Sequence, residues 1–276
     1  MTGNEAGTGG RWLLDGPKTI DVEGIHRLKV GLIRGNVDII GHDEPGARVE
    51  VHAVSGRDLK VSVVGDTLEI DHPQLRWDNW IEAFKSFAGT ASSDVSIVVP
   101  RDVALKFGVV SATGLISGLH DDASISTVSG DLTVDGMRGD LQLNSVSGEI
   151  AVRDHVGRIT AHTVSGDLTA AGEVRSFSSD GVSAEIMLDL VGVPDEIKVN
   201  TVSGNLTARL DADAAASYSI STVSGRLQLD DTRVTNIRGR YTAKHGELDK
   251  RWTDIRVNGV SADVSVLHTA RATATA

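Results

Sequence analysis

The sequence predicts an all-β fold: a single-stack β-solenoid, β-helix-like, with coils of about 18–21 residues. Three observations lead there: a short motif recurring at near-constant spacing, apolar columns stepping by two around it, and a composition suited to a thin core. The motif is Val-Ser followed by Gly or Ala. It begins at Val110, Val128, Val146, Val164 and Val182, each 18 residues after the last, then at Val202, Val223 and Val260 after 20, 21 and 37. The last gap leaves room for two coils.

The columns specify strands. Leu132, Ile150, Leu168, Ile186, Leu206, Leu227 and Val264 share one position after the motif, and Val134, Val152, Leu188, Leu229 and Val266 another two residues on. Before it come Phe107, Ile125, Leu143, Val199 and Ile220, and two residues earlier Leu141, Ile159, Phe177, Ile197 and Ile255. Polar residues stand between them, and a period of two is that of a strand, not a helix. Each coil is then two or three short strands over a narrow core. The Ser-Gly marks a corner, where Gly allows backbone angles that other residues avoid. The motif's valine is placed in the core, so Val146→Asp is expected to unfold the middle of the stack. Equivalent strands pair in parallel about 4.8 Å apart, so like residues form ladders. A lone coil buries too little to fold, and stacking supplies the rest.

Taken in order, residues 1–11 read as a disordered tail, 12–268 as one solenoid domain and 269–276 as a second tail. Coils over 20–72 are degenerate. Ile20, Val22, Leu28, Val30 and Leu32 nearly alternate, and Gly35-Asn36-Val37-Asp38-Ile39 repeats the grammar of Gly130-Asp131-Leu132-Thr133-Val134. An insertion over 73–93 breaks the pattern. Within it Trp77, Trp80, Ile81 and Phe84 fall at i, i+3, i+4 and i+7, one face of a short helix or loop insertion near 76–87. That face is a plug over the open core or, with Phe87, a candidate interaction surface: Trp77, Trp80, Ile81, Phe84 and Phe87. Regular coils run over 105–267, interrupted near 191–195 and 210–216. The stretch 230–254 is the least regular, with Gly246-Glu247-Leu248 standing for the Gly-Asp-Leu of a coil.

Ten aromatics, 30 Gly and 5 Pro in 276 residues fit a thin aliphatic core with Gly corners. A net charge of −11 and a pI near 5.2 argue against nucleic acid, which needs clustered Lys and Arg, and against unaided adsorption to anionic lipid. There is no Cys, hence no disulfide or thiolate metal site. No run of 18 apolar residues spans a membrane, and residues 1–10 lack the pattern of a secretory signal. The expected location is the cytoplasm. Peripheral membrane contact and self-association stay open.

No chemistry converges locally. Eight equivalent serines, Ser111 to Ser261, cannot all be nucleophiles, and Gly181-Val182-Ser183-Ala184-Glu185 lacks the second Gly of a nucleophile elbow. They read as a hydroxyl ladder at the corners. An acidic column, Asp131, Glu149, Asp167, Glu185 and Asp263, is interrupted by Asn205 and Arg226, and the Gly-Gly-x-Gly-x-Asp signature of Ca²⁺-binding rolls is missing. The nine His are scattered. His155 and His162 lie seven apart in different columns, so a metal site would have to be assembled from separate coils. No catalytic, cofactor-binding or metal-ligating residues are assigned, and no enzymatic activity is expected.

Thr127-Val128-Ser129-Gly130-Asp131-Leu132 and Thr163 to Leu168, together with Gly35 to Ile39, Pro45 to Val51 and Gly65 to Ile70, resemble the bacterial toastrack family of adhesin-like proteins (DUF4097-like) over roughly 18–268. The resemblance implies a β-solenoid without established catalytic residues, linked to cell-envelope stress and surface scaffolding. The expected function is a non-enzymatic scaffold or interaction module for an unknown protein partner. The alternatives are a bactofilin-like self-polymerising scaffold and a polysaccharide-acting β-helix enzyme.

Overall fold

The computed structural model describes residues 10–72, 91–235 and 237–270, and every regular element among them is a β-strand. The helix or loop expected near 76–87 lies outside the described residues. The chain divides into two compact units, 1–139 and 140–276.

In the first unit the repeat builds two faces of parallel ladders. On one, Thr67–Asp71, Arg27–Leu32, Ala104–Val109 and Ala123–Thr127 lie side by side. On the other, Ser92–Pro100, Asn36–His42, Thr113–Ser117 and Leu132–Asp135 do the same. Each face ends in antiparallel strands: Leu59–Val64 then Arg11–Leu14 on the first, Gly46–Ser55 then Lys18–Glu23 on the second. The N-terminal coil 27–42 is therefore interior, lying between a later coil and the coil 104–117.

The second unit repeats this logic. Ile150–Ser165 pairs in parallel with Leu168–Ser183, which pairs with Glu185–Leu190 and Glu196–Asp211. The next neighbour is not the next coil in sequence. Glu196–Asp211 pairs along its whole length with Thr253–Thr269, which then pairs with Ala216–Ser224 and Leu227–Leu229. The last copy of the motif thus sits between the copies at Val202 and Val223. Antiparallel strands Gly239–His245 and Thr232–Val234 close the stack. The 230–254 stretch is accordingly a cap and not a coil, and Gly246 occupies a left-handed turn after its second strand (φ 66°).

The two apolar columns on each side of the motif are buried, with Phe107 and Phe177 the largest side chains wholly enclosed. The motif's valine is the exception. Val128 is buried, but Val146, Val164, Val182, Val202, Val223 and Val260 are 37–63% exposed. The expectation that Val146 belongs to the core is corrected. Counting by two from the buried columns lands on the residue before the valine: Val109, Thr127, Ser145 and Thr163, all buried.

At two of these positions a hydroxyl closes the corner, while the Thr163 hydroxyl is buried without a partner. The Gly130 N–H donates to Thr127 Oγ1 (2.8 Å) and the Thr127 hydroxyl donates to the Gly130 carbonyl (3.0 Å). Ser145 and Gly148 do the same at 3.1 and 3.2 Å. The turn's inward polar groups are thus satisfied where water is absent, which a buried valine could not do. Adjacent corners are joined by main-chain bonds, Ser129 N–H to the Val110 carbonyl at 2.9 Å and Ser165 N–H to the Val146 carbonyl at 2.7 Å. The Ser129 hydroxyl adds a bond to the Val110 carbonyl (3.3 Å). The expected role of the Ser column is therefore seen in part, as a supplement to the main chain.

Two substitutions separate these roles. Thr127→Val leaves a buried N–H and carbonyl without partners and is expected to cost about 1–3 kcal/mol in urea unfolding. Val164→Asp at an exposed corner is expected to stay within about 0.5 kcal/mol of the parent. The reverse order would show that the valine, not the threonine, faces the core.

Candidate interaction surface

In the second unit the valines line up in the order of strand pairing: Val146, Val164, Val182, Val202, Val260, Val223. With one per strand, the ridge is about 24 Å long at the usual spacing of 4.8 Å. Its residues are apolar and solvent-facing because each is the apex of a corner. Serines stand beside them, and Ser183, Ser203 and Ser261 line a polar recess of ≈ 390 Å³ with Asp167, Glu185, Asn205 and Asp263. A second cleft of ≈ 410 Å³ shares Glu185, Asn205 and Asp263 and is walled by Arg233, Val234 and Thr235 of the cap.

Strand order explains how the acidic column is tolerated. Asn205 lies between Glu185 and Asp263, so two carboxylates that would repel are held two strands apart. Arg226, an interruption in chain order, is the next neighbour of Asp263 in space. Its Nη2 and Nε donate to Asp263 Oδ2 (2.6 and 3.0 Å) and its backbone N–H to Oδ1 (2.8 Å). These hydrogen bonds and the guanidinium charge hold the Asp263 carboxyl below the usual carboxylate range, against the upward push of slight burial. Asp167 and Glu185 keep the recess acidic. The site can therefore take an apolar strip along the ridge and cationic groups beside it.

The five residues expected to form an interaction surface, Trp77, Trp80, Ile81, Phe84 and Phe87, lie outside the described residues. His155 is buried and His162 exposed, so the structure does not bring them together. Ser183 and Ser261 are exposed corner residues. Sequence reasoning misses the valine ridge because valine is a core residue by type, although the period of two already places its neighbour inward. A second group missed by sequence reasoning, Asp230, His245 and His268, is assembled from three separate segments of the cap and last coil.

A family model described as Toastrack DUF4097 matches residues 25–267. The chain belongs to the Toastrack DUF4097 family. Two solved structures are similar in outline to this Toastrack chain. One, a "putative cell adhesion protein" from Clostridium sporogenes, is 12% identical with a TM-score of 0.33, covering 92% of this chain and 100% of that one. The other, a "putative adhesin" from Bacteroides fragilis, is 11% identical with a TM-score of 0.49, covering 90% and 96%. No curated protein matches this Toastrack chain. No helix among the described residues is long and apolar enough to cross a membrane.

The Arg226–Asp263 pair makes a titration prediction. A carboxyl whose folded pKa is depressed adds stability above its unfolded pKa and loses it as pH falls through the folded one. NMR titration of the Asp263 carboxyl is expected to give a midpoint below that of an ordinary Asp, returning upward in Arg226→Gln. An unmoved midpoint would show that Arg226 does not set it.

Proposed function

We propose that this protein is a non-enzymatic interaction module that docks a protein partner along the valine ridge of its second unit. The observation that carries the reading is the ridge itself. Six large apolar side chains stay exposed in a continuous row held in register by paired strands. Scattered surface valines need no explanation, but a row of this length is a surface suited to a partner. The flanking Asp167 and Glu185 favour one that brings Lys or Arg beside its apolar strip. The family's association with surface scaffolding agrees with a module of this kind. The antiparallel strands that cap the second unit end its parallel ladder, which works against growth by coil-on-coil addition at that edge.

The test is co-purification from native lysate with the parent and with Val164→Asp/Val202→Asp. Both are expected to melt alike, while the double variant loses at least tenfold of a stoichiometric partner that the parent retains. Equal recovery by both, or no partner with either, contradicts the proposal.

A further inference from the structure

Asp230, His245 and His268 meet at the closed end of the second unit. Asp230 follows the strand Leu227–Leu229, His245 ends the cap strand Gly239–His245, and His268 lies near the end of Thr253–Thr269. His268 Nδ1 is 3.0 Å from Asp230 Oδ2, and His245 Nδ1 is 3.2 Å from the same oxygen. Asp230 is fixed before any ligand arrives. Its N–H donates to the Val266 carbonyl (2.9 Å), and its Oδ1 accepts from the His268 N–H (2.7 Å). It also holds a left-handed conformation (φ 48°), tolerated by Asp and Asn better than by bulkier side chains.

The His268 side chain is only 3% exposed, with Nδ1 toward Asp230 and the opposite ring nitrogen, Nε2, without a partner. The hydroxyl of Tyr218, a buried residue that feels the Asp230 charge, has none either. Pairing of Ala216 with His245 and Tyr218 with Ala243 puts Tyr218 and His245 on one face of the cap ladder. Two imidazole nitrogens and one carboxylate oxygen around a common point are a donor set for a borderline divalent ion. Zn²⁺ bonds of about 2.0–2.2 Å at tetrahedral angles put ligand atoms about 3.3 Å apart, close to both separations from Asp230 Oδ2.

We propose that Asp230, His245 and His268 form a divalent transition-metal site, of the Zn²⁺, Co²⁺ or Ni²⁺ class, that staples the cap to the last coil. One adjustment is required. The two imidazoles are stacked, with centroids 3.7 Å apart and planes 3° from parallel, whereas a ligating nitrogen's lone pair lies in its ring plane. His245, 36% exposed at a strand end, turns out of the stack while buried His268 and anchored Asp230 stay. A fourth position is left for water. Because each ligand comes from a different segment, the ion would tie the Asp230 turn, the cap strand and the last strand together.

The experiment titrates Zn²⁺ into metal-free full-length protein by calorimetry, records the Co²⁺ absorption spectrum, and measures the melting temperature with and without metal. The parent is expected to bind one ion, give the intense visible bands of low-coordinate Co²⁺, and melt several degrees higher when loaded. His245→Gln and Asp230→Asn, which suits the left-handed turn, are each expected to melt like the metal-free parent and bind at least tenfold more weakly. Absence of a one-to-one event in the parent overturns the proposal. So do undiminished affinity and an unchanged Co²⁺ spectrum in both variants.

Discussion

Successive corners of the stack approach so closely that a Cβ added at their glycines would strike the neighbouring main chain, and the rest of the structure follows from that contact. A Cβ built on Gly130 would stand 2.0 Å from the Ala112 carbonyl oxygen, on Gly204 2.4 Å from that of Ala184, and on Gly225 2.1 Å from that of Ala262. None of these glycines has a positive φ. Glycine is required there for space, and not for the unusual backbone angles the sequence suggested. In order of strand pairing the corner column reads Gly166, Ala184, Gly204, Ala262, Gly225, so each of these four contacts sets a glycine against an alanine.

Close corners dictate which side chains face where. With the glycine main chain turned against its neighbour, its N–H and carbonyl point inward and need a partner in the dry core, and the Thr127 and Ser145 hydroxyls supply it. At Val146 and the later copies of the motif the valine at the apex faces outward, whereas Val128 stays buried. A scaffold feature and the candidate binding surface thus share a motif.

Strand identity, parallel pairing and the buried columns were legible in the sequence because a period of two repeated at 18 residues has a single structural meaning. The valine was misplaced because its hydrophobicity outweighed that period, although Thr127 and Thr163 mark the inward register. The order of coils was not legible. Nothing local to Val260 says that it lies between Val202 and Val223, since that choice is made by long-range pairing. The Asp263–Arg226 pair and the Asp230, His245 and His268 cluster depend on the same choice, and so were hidden for the same reason. The aromatic stretch Trp77–Phe87, the most conspicuous break in the pattern, lies outside the described residues.

Main-chain contact between corners, and not glycine's freedom of φ, holds the coils in register. Urea unfolding of Gly130→Ala beside Gly16→Ala tests it directly, since the Gly16 Cβ would meet nothing within 4 Å. Gly130→Ala is expected to lose at least about 2 kcal/mol, because a backbone carbonyl cannot rotate away as a side chain can, with little change for Gly16→Ala. Equal stability of the two variants would contradict it.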